Sequence, residues 1–169
     1  PGHSGAAAGS AVATSEKYVA VGSPNDNASF SNGGAVHIFD AVTGKRLRTL
    51  RPATADGGAD EFFGSALSIS GTYLLVGAPG DAVFTTANVG SVYLFDLATG
   101  KQLLRAYSGA TEVGSGFGSA LAMEGDYALI GSPDEDAFGV DAGALWALRF
   151  YLVAETVISS FRTSAPTTA

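Results

Sequence analysis

Short apolar runs along this chain alternate with breaks rich in glycine and small polar residues. In the middle, Ala66 to Ser70 (ALSIS) alternates apolar and small polar positions with a period of two, which predicts a half-buried strand. Gly71-Thr72 forms a short turn into Tyr73 to Gly77 (YLLVG), so the two runs read as a hairpin. A longer connection, Ala78 to Val89, leads to Ser91 to Phe95 (SVYLF), where β-branched and aromatic residues favour a third strand. Asp96 to Gly100 (DLATG) then turns the chain into Lys101 to Tyr107, with Asp accepting bonds from backbone amides and Gly supplying positive φ. The pattern predicts a four-stranded antiparallel meander.

The pattern also repeats. Gly64-Ser65-Ala66 is matched 55 residues earlier by Gly9-Ser10-Ala11 and 54 later by Gly118-Ser119-Ala120. Gly77-Ala78-Pro79 is matched at the same two offsets by Gly22-Ser23-Pro24 and Gly131-Ser132-Pro133. Tyr18, Tyr73 and Tyr127 keep the step, and the turn Asp40 to Lys45 (DAVTGK) is answered by Asp96 to Lys101 (DLATGK).

Three units follow, about 8–62, 63–116 and 117–161, with 162–169 (Ser, Thr, Pro and Ala after Arg162) expected as a flexible tail. The first unit's strands are placed at Ser10 to Thr14, Tyr18 to Gly22, Ala35 to Phe39 and Arg46 to Leu50. The third places Ser119 to Met123, Tyr127 to Gly131 and Ala144 to Leu148, but Phe150 to Glu155 stands where the Asp-x-x-Thr-Gly-Lys turn belongs. Two readings stay open there: a long apolar strand with a displaced fourth one, or an end remodelled for contact, with Phe150, Leu152 and Val153 as an assembly surface.

Phe63-Gly64 opening the second unit and Gly77-Ala78-Pro79 closing its second strand resemble the FG-GAP repeat of integrin-alpha-type β-propellers. Phe117-Gly118 keeps the signature, and Ala8-Gly9 is a weakened first copy. The resemblance implies an all-β fold of propeller blades, a non-enzymatic interaction module and an extracellular or cell-surface setting. Closed propellers take about four to eight blades, so three leave two flanks bare. The chain is therefore expected to be completed by further blades or by a homo-oligomer, including open polymers.

Composition narrows this further. The 169 residues carry 46% hydrophobic residues and 23 glycines, which suits a packed body of short strands and tight turns. Without cysteine there is no disulfide framework, thiol catalysis or thiolate metal site. A net charge of −7 disfavours nucleic acid and anionic membranes as partners. Arg149 and Glu155 interrupt the longest apolar run, which argues against membrane insertion. The sequence begins at Pro1 without an initiator Met or an apolar signal segment, as expected of a processed product or an excised piece.

In such a meander the long connections emerge on one face. That face receives Asp26, Asp56, Asp60, Glu61, Asp81, Glu112, Asp134, Glu135, Asp136 and Asp141, ten of the sixteen acids. Lys17, Lys45, Arg46 and Lys101 go to the opposite one. In integrin-like propellers the first face binds ligand, so resemblance places a protein or glycan site on the acidic loops Asp26, Asp56, Asp60, Asp81, Asp134, Asp136 and Asp141. The family's calcium loop between the first two strands is not carried over. Ser15-Glu16-Lys17, Ser70-Gly71-Thr72 and Glu124-Gly125-Asp126 are too short to encircle an ion.

The remaining candidate for Ca2+ is Asp134 and Asp136 with Asp141, whose spacing can aim carboxylates at one point; a solvated acidic loop is the competing reading. His37 matches Tyr93 and Trp146 on the third strands and reads as a ring-sized filler between blades. Phe30, Phe84 and Phe138 recur in the long loops, either packing each loop on its blade or, with Trp146, lining a sugar site. No nucleophile elbow or hydrolase triad is present, so no catalytic residue is assigned.

Overall fold

The computed structural model describes residues 5–52, 59–83, 86, 88–109, 113–136, 142–153 and 156–164, and from 152 onward the backbone course alone. The first sheet contains β1 (Val12–Thr14), β2 (Tyr18–Ser23), β3 (Ala35–Asp40) and β4 (Arg46–Leu50). The second contains β5 (Ala66–Ser70), β6 (Tyr73–Ala78), β7 (Ser91–Asp96) and β8 (Gln102–Ala106). The third contains β9 (Ala120–Glu124), β10 (Tyr127–Ser132), β11 (Ala144–Val153) and β12 (Thr156–Ser164). Each is a four-stranded antiparallel meander in sequence order, as the polar and apolar pattern predicts. The three sheets stack face to face as propeller-like blades, with β5 lying against both β1 and β9.

Turn chemistry explains the first two sheets. Asp40 Oδ1 accepts the Thr43 amide at 2.7 Å and the Thr43 hydroxyl at 2.8 Å, and these bonds hold its carboxyl below the usual range. Asp96 accepts the Ala98 amide at 2.8 Å and the Thr99 hydroxyl at 2.9 Å. Arg149 occupies the corresponding place in the third sheet and offers no acceptor. The chain runs straight on, so β11 is ten residues long and pairs with the nine of β12 from Leu145↔Ser164 to Val153↔Thr156. The long-strand reading holds, and the last strand reaches three residues into the stretch expected as tail.

Two apolar clusters lie between the blades. Ala20, Val36 and Ile38 of the first sheet meet Leu74, Val76, Tyr93 and Phe95 of the second. Leu75, Val92 and Leu94 on the other face of the second sheet meet Met123, Ala128, Ile130, Leu148 and Phe150 of the third. Each fully buried side chain of this size stabilises the stack by roughly 1.5–3 kcal/mol.

The joints also explain the repeated glycines. A Cβ on Gly22 would land on the carbonyl oxygen of Gly64, and one on Gly77 would land on that of Gly118. Gly34 and Gly90 are pressed in the same way against Phe63 and Phe117. The Phe-Gly of one blade is thus seated on the Gly-x-Pro strand of the blade before it. Phe63 and Phe117 are fully buried there, Phe63 edge-on to Tyr93 (5.4 Å) and Phe117 edge-on to Trp146 (5.8 Å). Backbone bonds across the joints, Phe62 N to Asn32 O (2.9 Å) and Phe117 N to Val89 O (3.1 Å), fix the register.

Candidate interaction surfaces

The acids expected on one ligand face divide into two groups. Asp26 and Asp81, 2% and 1% exposed, point inward, which corrects their placement as ligand contacts. Asp26 Oδ1 pairs with Arg51 at 2.7 Å and accepts the Ala28 amide at 3.0 Å. Asp81 pairs with Arg105 at 3.0 Å and accepts the Tyr93 hydroxyl at 2.5 Å. Burial, then the Asp81 charge, push the Tyr93 phenol far above its ordinary value, so it remains a donor. Glu61 and Glu135 are buried as well, and Glu135 sits 3.4 Å from the Ser132 hydroxyl.

A physical reason ties these acids to the fold. Asp26, Asp81 and Glu135 occupy one repeated position, two residues past the proline of each Gly-x-Pro. Their carbonyls accept the amides of Gly34, Gly90 and Gly143, closing each long loop. A carboxylate so enclosed requires a cation or donors, and Arg51 and Arg105 supply them. The repeat pattern does not mark these arginines, because they are not at equal positions. Arg105 is cross-strand from Tyr93, whereas Thr49 is cross-strand from His37 and Arg51 follows two residues later. Their common side of the pleat is the only signal.

Asp60, Asp134 and Asp136 are exposed, and Asp60 accepts a bond from the Asn32 amide nitrogen at 2.7 Å. Asp56, Glu112 and Asp141 lie outside the described residues, as do Phe84 and Phe138. Among the described residues no three His, Cys, Asp or Glu side chains come together to hold a metal ion. Phe30 is 46% exposed at the rim of a cavity of about 140 Å³ lined by Gly34, Arg51, Pro52 and Glu61, so it does not pack its loop down. Trp146 is committed to the joint with Phe117.

Phe150, expected on an assembly surface, is 3% exposed and packs edge-on against Tyr73 at 5.9 Å. Its corrected place is the joint between the second and third blades, because side chains alternate along β11 and Phe150 shares the inward face with Leu148. The side chains of Leu152 and Val153 lie outside the described residues. Beneath this joint a groove of about 570 Å³ is lined by Tyr73, Asp126, Phe150 and Tyr151 and the turns at Gly71 and Gly125.

The outer face of the third blade is where apolar surface is left open. Leu129 and Leu145 are 47% and 45% exposed. Their counterparts Leu75 and Val92, and in the first sheet Ala20 and Val36, are completely buried by the blade that follows. On the same face Arg149 lies 4.6 Å from the Tyr127 ring centre and 4.5 Å from that of Tyr151, and pairs with Asp126 at 2.9 Å. At the other end of the stack Val12 is 64% exposed, and Val19, Val21, His37 and Phe39 are half-buried on a face whose equivalents in the second blade are covered. His37 thus lies on an open flank, bonded through Nδ1 to the Thr49 hydroxyl at 3.0 Å.

Residues 53–95, which include β5, β6 and most of β7, match the family model of the FG-GAP repeat. No curated protein matches the chain. Among the described residues no helix is long and apolar enough to cross a membrane.

Proposed function

We propose that this chain, built around an FG-GAP repeat, is a non-enzymatic interaction and assembly module of the extracellular or cell-surface kind, working through the flanks of its blade stack. The observation that carries the reading is the third blade's outer face. Leu129 and Leu145 are nearly half exposed there, at positions that the two preceding blades bury completely. Tyr127, Arg149 and Tyr151 lie beside them, and aromatic residues with arginine are the side chains enriched in the buried centres of protein interfaces.

Two of the loop acids, Asp26 and Asp81, argue for structure over ligand capture. Asp26 and Asp81 are held by arginines of their own blades, so they are not available to an external cation or base. Reaction chemistry draws no support from the same residues, since both are enclosed and held against arginine.

The mass of the chain in solution tests the proposal. Light scattering across a concentration series should show association, and Leu145→Asp should weaken it while circular dichroism stays that of the parent. A single species of monomer mass at every soluble concentration would overturn the assembly reading.

A further inference from the structure

The two open flanks are the two halves of one joint. Inside the chain that joint is made twice, each time by a glycine near φ +95° seated on a glycine of the preceding blade's second strand. Gly64 (φ 96°) sits on Gly22, and Gly118 (φ 94°) sits on Gly77. The third blade carries the receiving glycine, Gly131, with no blade upon it: a Cβ there would meet nothing closer than the Cβ of Ala120, at 3.2 Å in its own sheet. The first blade carries the inserting glycine, Gly9, at φ 96° with nothing within 4 Å of where its Cβ would be. The residue two before it keeps the joint's backbone as well, Ala7 at φ 54° where Phe62 has 54° and Gly116 has 67°.

Resting on the assembly reading above, we propose that the open face of the third blade receives the Gly9 edge of a second copy of this chain, head to tail, in the register of the internal joints. The chain itself supplies both complementary surfaces, each in the docked backbone conformation without a partner. A second copy therefore needs no rearrangement to fit, and Val12 of the incoming copy is brought over Leu129 as Leu121 is brought over the cluster containing Leu75. The contact is heterologous, so it propagates into rings or open filaments.

One element is weaker than in the internal joints. Phe63 and Phe117, the buried plugs, are replaced by Ala8, which is exposed. The intermolecular joint lacks that ring, so the contact is expected to be weaker than the internal ones and reversible. Restoring the ring should tighten it.

Sedimentation of the whole chain and two variants decides the matter. Gly131→Ala adds a Cβ that its own sheet accommodates with a shift of a few tenths of an ångström at Ala120, but that would overlap an incoming Gly9 carbonyl. Ala8→Phe supplies the missing plug. The proposal expects Gly131→Ala to weaken self-association at least tenfold and Ala8→Phe to tighten it at least tenfold. Should Gly131→Ala fail to fold by circular dichroism, Leu129→Arg replaces it, with the same expectation. Association that either change leaves within twofold overturns this joint and leaves the assembly reading standing. A parent and an Ala8→Phe variant that both remain monomeric overturn the two together.

Discussion

Gly77 lies directly beneath the backbone of Gly118, close enough that a methyl group on the first would overlap the carbonyl oxygen of the second. The obstacle is backbone of a neighbouring blade, which cannot move aside as a flexible side chain can. Gly77→Ala is therefore expected to destabilise the chain by about 3 kcal/mol, the upper part of the range for overpacking. Gly131→Ala, the same substitution on the uncovered face, is expected to cost less than about 1.5 kcal/mol. Urea midpoints of the two variants check this, and equal losses would show that the glycine answers a local need of the strand and not the stacking of blades.

Asp81 is enclosed by Arg105 and Tyr93 and almost without solvent contact. Removing one member of a buried pair leaves the other's desolvation uncompensated, which typically costs about 3–5 kcal/mol. The Arg105 side chain keeps 19% of its surface in water, so the lower end applies. Asp81→Asn and Arg105→Met should each lose about 3 kcal/mol, and the double variant clearly less than their sum. Asp134→Asn, on an exposed residue directly after the repeat proline Pro133, should stay within about 0.5 kcal/mol. Additive losses at Asp81 and Arg105 would mean that the pair does not act as a unit.

How much of this was readable in the residues depends on what each position answers to. The meanders were legible because turn and strand chemistry is local: Asp40-Thr43-Gly44 and Asp96-Thr99-Gly100 close their hairpins through bonds within five residues. The unit boundaries were legible because glycine recurs where blades touch. The direction of the acids was not. Asp26 and Asp81 look like solvated loop residues until Arg51, just past β4, and Arg105 of β8 come across from 25 and 24 positions away. Phe150 misled for a related reason. Losing the Asp-Gly turn suggested a new surface, whereas the period-two alternation of a strand that simply continues keeps Phe150 on the inner face with Leu148.

Phe150 and Leu145 belong to one strand and opposite faces, which makes a paired prediction. Phe150→Ala removes a buried ring packed against Tyr73 and should cost about 3–5 kcal/mol. Leu145→Asp changes a side chain 45% exposed on the open face and should leave the stability within about 1 kcal/mol while weakening self-association. Denaturation followed by circular dichroism, with light scattering in parallel, separates the two effects. A large loss of fold in Leu145→Asp would remove the open face as an interaction surface.

His37 links pH to the same flank. Partial burial, reinforced by the nearby Arg46 and Arg51 and opposed by Asp26, holds its imidazole below the ordinary value. The folded chain therefore resists a proton that the unfolded chain accepts near pH 6.5. Its contribution to stability is complete above that pH and is lost as pH falls through the lower, folded value. The parent should lose more stability than His37→Gln between pH 7.5 and 5.5, the carboxylates common to both cancelling in the comparison. Covering the flank with a second copy would remove His37 further from water and lower its proton affinity again. Self-association should then weaken on acidification in the parent and less so in His37→Gln, and an equal pH dependence of the two proteins would place the ring outside the contact.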